Sequence, residues 1–132
     1  MEQLSLNHKV YYFDKDTPVP PEDIFELIPK AYDISLHNQT FNERTMKNLV
    51  KMERKIKIKG FYLDMIDQEI NVKLLSEFLM KNIRHKSRVA IYFQDEAYNP
   101  TFKVEIIAAL KTWKPITKKI LYFPKINVHS MF

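Results

Sequence analysis

Five short runs of apolar and aromatic residues recur at nearly even intervals, and this spacing restricts the fold more than any other feature of the chain. The runs are "KVYYF" (9–13), "YDISLH" (32–37), "GFYLDM" (60–65), "RVAIYF" (88–93) and "KILYF" (119–123). Each has the near alternation of a β-strand. Aligned on their central residues, Tyr11, Ser35, Tyr62, Tyr92 and Tyr122, they step by 24, 27, 30 and 30 residues, the range of strand-plus-helix repeats.

The intervening segments carry helical signals. "PPEDIFELI" opens on prolines and places acids in its first turn, which the helix dipole favours, and Pro29 is expected to end it. In "TFNERTMKNLVKMERK" Thr40 and Glu43 offer a capping box, and Met46, Leu49 and Val50 an apolar face. Asn71 is suited to cap "VKLLSEFLMKNIRHK", where Val72, Leu75, Phe78, Leu79 and Ile83 keep helical spacing. Asn99 and Pro100 mark a fourth start, with Phe102, Ile106, Leu110 and Trp113 on one face. Pro115 is expected to stop that helix.

Alternating strands and helices imply a parallel α/β sheet of about five strands and four helices in a single domain over 1–132. Two architectures fit. In a leucine-rich-repeat-like solenoid the helices cover one sheet face; in a doubly wound three-layer fold they cover both. The residues flanking each centre are apolar: Val10/Tyr12, Ile34/Leu36, Phe61/Leu63, Ile91/Phe93 and Leu121/Phe123. Alternation puts those flanks on one face and the centres on the other. A sheet buried on both faces would read as continuous aliphatic runs, which "DISLHN" and "FYLDM" do not, so the one-sided solenoid is favoured.

On that reading Tyr11, Ser35, Tyr62, Tyr92 and Tyr122 form a row across the open face, with His37, Asp64 and Gln94 as a second, polar row. Solenoids bind partners on this surface, and Tyr provides rigid contact area with a polar tip. Cross-strand aromatics also stabilise a sheet without binding anything.

Basic residues gather where helices end and strands begin, with Lys55, Lys57 and Lys59, then Arg84, Lys86 and Arg88, then Lys118 and Lys119 as a candidate basic rim. Cations favour helix C-termini for electrostatic reasons alone. The functional alternative is a basic nucleic-acid-binding edge, and the net charge of +5 permits it without selecting it. No nucleic-acid motif accompanies it.

The sequence has one glycine, Gly60, too few for a phosphate-cradling loop. The four histidines have no metal-ligand spacing, and no nucleophile is paired with His37 or Asp64. The expectation is a non-enzymatic protein with no cofactor. The absence of cysteine suits a reducing compartment, the N-terminal run lacks a secretory pattern, and no apolar run approaches a membrane span. A soluble, cytoplasmic protein is expected, with either self-association through the strand in 119–132 or a continuation of the chain that covers it.

The segment "VEIIAALKTWKPITKKILYFPKINVHSMF" (104–132) resembles the FTH domain of nematode F-box proteins. Trp113-Lys114 matches that family's helical Trp-Lys pair, Lys118-Lys119 its linker, Ile120-Leu121 its strand, and Ile126 and Phe132 the stretch beyond. "RVAIYFQ" and "PTFKVEIIAAL" follow the same order more loosely. Pro115 and Thr117 depart from the pattern, and residues 1–30 lack an F-box's leucine-rich helices. The resemblance implies a leucine-rich-repeat-like substrate-recognition region of a ubiquitin-ligase adaptor.

Overall fold

The structure is a computed structural model that describes residues 3–110, without the side chains of His85, Lys86 and Asn99. Trp113, Tyr122, Lys118, Lys119 and the expected strand at 119–123 lie outside the described residues. Strands and helices alternate: β1 (Gln3–Leu6), α1 (Pro21–Glu26), β2 (Asp33–His37), α2 (Glu43–Val50), β3 (Ile58–Ile66), α3 (Val72–Asn82), β4 (Ile83–Phe93) and α4 (Tyr98–Leu110). The strands form one sheet in the order β1-β2-β3-β4, and every neighbouring pair is parallel. No reversal of strand order occurs among the described residues.

Period-two alternation decides what each face carries. Ile34, Leu36, Phe61, Leu63, Val89, Ile91 and Phe93 are buried and join residues of all four helices in a single core cluster. Its centre is aromatic. Phe25 of α1, Phe61 of β3 and Phe78 of α3 hold their ring centroids 5.7–6.2 Å apart, and Phe93 meets Phe102 of α4 at 4.8 Å. Each helix packs on the next in sequence. Asn71 caps α3, its side chain accepting from Leu74 N–H at 3.1 Å. The cap of α2 is Asn42, which accepts from Thr45 N–H at 2.9 Å, rather than Thr40; Thr40 Oγ1 instead accepts from Lys9 Nζ at 2.8 Å. Leu27, not Pro29, closes α1.

The first strand is not the expected one. "QLSL" takes that place, with Leu4 and Leu6 turned toward the core, while residues 9–13 form an arm leading into α1. Tyr11 bridges Pro18 in antiparallel fashion, Val19 N–H donates to Val10 O and Tyr12 N–H to Thr17 O. Asp14 closes the arm's turn by accepting from Asp16 N–H, Thr17 N–H and Thr17 Oγ1. These bonds to Asp14, above all from the Thr17 backbone, hold its carboxyl below the usual carboxylate range. The run "KVYYF" has strand propensity, but the turn tied by Asp14 reverses the chain and pairs the run with residues 17–19 instead of with the sheet. Tyr11 therefore lies outside the sheet.

Candidate functional site

Residues opposite the core flanks line the other face of the sheet. Gln3, Asp33, Gly60 and Arg88 are in register as one rank, and Ser5, Ser35, Tyr62 and Ala90 as the next. Ser35, Tyr62, His37, Asp64 and Tyr92 are all half-buried; both chain neighbours of Ser35, Tyr62 and Tyr92 are buried, whereas His37 and Asp64 are each followed by an exposed residue. Tyr92 is not beside Tyr62, as expected from the spacing; Ala90 is. Irregularities between Ile58 and Gly60 and between Leu63 and Ile66 shift the register, so Tyr92 lies opposite the segment that carries Asp64. Arg88, expected on the basic rim, stands exposed on this open face.

The polar row forms where β2 and β3 end. His37 and Asp64 are register partners, with His37 Nδ1 3.3 Å from Asp64 Oδ2. Asp64 Oδ1 accepts from Met65 N–H at 2.8 Å, and Asp64 O accepts from Asn38 N–H at 2.9 Å. Asn38 and Met65 both adopt left-handed backbone, with φ of 61° and 54°. Asn tolerates that region, but for Met it costs about 1–2 kcal/mol. Such outliers cluster at functional sites, and here they turn two adjacent strand ends outward around Asp64. Nothing in the sequence announces Met65, whereas "HN" at 37–38 is a weak turn signal. Gln94 is exposed one step beyond, its N–H donating to Ile66 O at 2.8 Å.

Gly60 has a role here other than loop-making. A Cβ on it would meet Asp33 Oδ1 at 2.7 Å and Tyr62 Cε2 at 2.9 Å. The absent side chain lets the Tyr62 ring lie back along its own strand. Gly60→Ala is expected to change stability by no more than about 1 kcal/mol, because both crowded groups are side-chain ends that can swing outward. It should lift the Tyr62 ring, and a shift of the ring's NMR resonances with little change in melting temperature checks this.

Of the expected basic rim, Lys57 helps to close a helix, as do Lys81 and Arg54, two cations outside that set. Lys81 Nζ donates to Val50 O at the end of α2, and Lys57 Nζ donates to Lys81 O near the end of α3, both at 2.7 Å. Arg54 turns inward and is 7% exposed. Its guanidinium donates to the carbonyls of Ile28 and Ala31 at 2.9 and 2.6 Å, to Ile56 at 3.3 Å and, more weakly, to Phe25 at 3.4 Å. Burial pulls its pKa below the usual arginine value. Asn82 extends the network, accepting from Arg54 N–H at 2.8 Å and donating to Met52 O and Phe78 O. Lys55, Lys59 and Arg84 are exposed, and Lys86 falls on β4. Lys55 borders a cavity of about 590 Å³ beside Arg54.

Comparison with protein-family models, with curated proteins and with solved structures returns no match. The site must be read from its own chemistry. Among the described residues no three metal-ligating side chains converge, and no helix is long and apolar enough to cross a membrane. The grouping of Ser35, His37, Tyr62, Asp64 and Tyr92 offers aromatic area, a carboxylate and an imidazole on a firm strand platform. That set is suited to contact and hydrogen bonding with a second surface.

Proposed function

We propose that this protein is a non-enzymatic protein-interaction module, a leucine-rich-repeat-like one-sided array that binds its partner on the open face of the sheet. Ser35, His37, Tyr62, Asp64 and Tyr92 form the contact centre. One observation carries the reading: Ile34, Leu36, Phe61, Leu63, Ile91 and Phe93 are sealed into the core, while Ser35, Tyr62 and Tyr92 between them stay accessible. Sequential parallel strands with sequentially stacked helices suit a repeat array. The likeness of the C-terminal segment to FTH domains favours substrate recognition in a ubiquitin-ligase setting, in the cytoplasm.

Tyr62→Ser combined with Tyr92→Ser tests the assignment. The double variant should keep its fold, with a loss of no more than about 2 kcal/mol, while capture of a partner that the native protein retains falls at least tenfold, an effect of hot-spot size. Loss of folding, or unchanged capture by a folded variant, would count against the face. Retention on single- or double-stranded nucleic acid at low salt, abolished by moderate salt, would favour the basic edge instead.

A further inference from the structure

The largest concave apolar surface among the described cavities is not on the sheet face. It lies at the β1 end of the molecule, between β1, the arm at 10–15 and α1, and encloses about 870 Å³. Leu4, Leu6, Val10, Val19, Ile24 and Ile28 form its walls. Around its rim stand the two most exposed large apolar side chains of the described residues, Phe13, fully exposed, and Leu27, 78% exposed, with Tyr11 and Tyr12 about half exposed beside them. The arm that carries them is held in place. Its turn is tied through Asp14, and Tyr12 OH donates to Asp23 Oδ2 of α1 at 2.5 Å. Phe13 is thus presented outward from an anchored loop. Beside it β1 is an edge strand, hydrogen-bonded only to β2 among the described residues.

One surface therefore bears both projecting apolar side chains and an apolar recess. That pairing is what a two-fold interface requires, because the same patch must serve as donor and receiver. The charges on the rim are also self-complementary, with Lys15 on the arm and Glu26 on α1. Four exposed side chains, three of them aromatic, offer on the order of 500 Å². A stable interface buries about 800 Å² per partner, and the recess walls and the β1 edge can supply the remainder. A patch of this kind left in water is unusual for a monomer.

We propose that two copies of this chain associate about a two-fold axis through the β1 end, with Phe13 and Leu27 of each copy seated in the apolar recess of the other. This surface is separate from the tyrosine-bearing face, so dimerisation leaves that face free in both copies.

Sedimentation equilibrium of the full chain, with Phe13→Asp and Leu27→Asp as variants, tests the proposal. Both substituted side chains project into solvent, so both variants should melt as the native monomer does. The native protein is expected to sediment at twice its chain mass at about 50 µM, and each variant to weaken the dimer at least tenfold, the effect of losing an interface anchor. A native protein that stays monomeric up to about 500 µM, well above the dissociation constants of standard-size interfaces, overturns it. So does a dimer indifferent to both substitutions, which would be formed by another surface. Open-ended growth with concentration overturns the two-fold geometry.

Discussion

Arg54→Met is expected to destabilise the protein by about 3 kcal/mol, a drop on the order of 10 °C in melting temperature. The residue comes from a run of cations, but its situation differs from that of its neighbours. α1 is only six residues long, and the turns that follow it give Phe25 O and Ile28 O one backbone donor each, at 3.2 and 3.1 Å. From the loop after α2, Arg54 donates to the carbonyls of Ile28 and Ala31, just past the helix, and more weakly to Phe25 within it, so one guanidinium fastens the end of the first helix to the next repeat. Methionine fills similar volume and removes the cost of burying a charge, which offsets part of the loss. It takes away the donor to Ala31 O and the second donor to Ile28 O and Phe25 O, and a buried acceptor left unsatisfied costs about 1–3 kcal/mol before relaxation. Lys57→Met provides the contrast: its Nζ makes one exposed bond to Lys81 O, and its loss should cost less than about 1 kcal/mol. Chemical denaturation of both variants decides the matter. Equal, small losses would show that Arg54 does not hold α1.

The sequence makes some of this plain and conceals the rest for identifiable reasons. Alternation exposes its own face assignment, because a period of two has only one alternative, and Ile34/Leu36 and Phe61/Leu63 point inward as expected. Asn71 is legible as a cap because its chemistry is local. Tyr11 misleads because strand propensity does not distinguish a sheet strand from an arm, and the deciding information lies in the Asp14–Thr17 turn that follows. The register of Tyr92 is hidden because irregularities in β3 and β4 are set by neighbouring strands rather than by either strand's own residues. Arg54 is hidden for a related reason. In "KMERKIKIKG" nothing local says which cation turns inward; that depends on where α1 leaves its carbonyls, some 25 residues earlier in the chain.

The second large effect separates two adjacent residues. Phe61→Ala should cost about 3–5 kcal/mol, the range for a fully buried aromatic, while Tyr62→Ser should cost about 1 kcal/mol. Phe61 is 0% exposed and packs between Phe25 and Phe78, so its removal opens a cavity at the meeting point of α1, β3 and α3. Tyr62 is as large, has comparable strand propensity and is the very next residue, yet its ring lies over Gly60 on the half-exposed face. Propensity cannot separate the two, and neither can hydrophobic content; only the presence of a helix layer on one side does. If a second layer covered the other face, both substitutions would be severe, because each ring would leave a cavity. A ratio of about three or more in the measured losses therefore supports a face left open. Near-equal, large losses would remove the accessible surface on which Tyr62, Asp64 and Tyr92 are proposed to meet a partner.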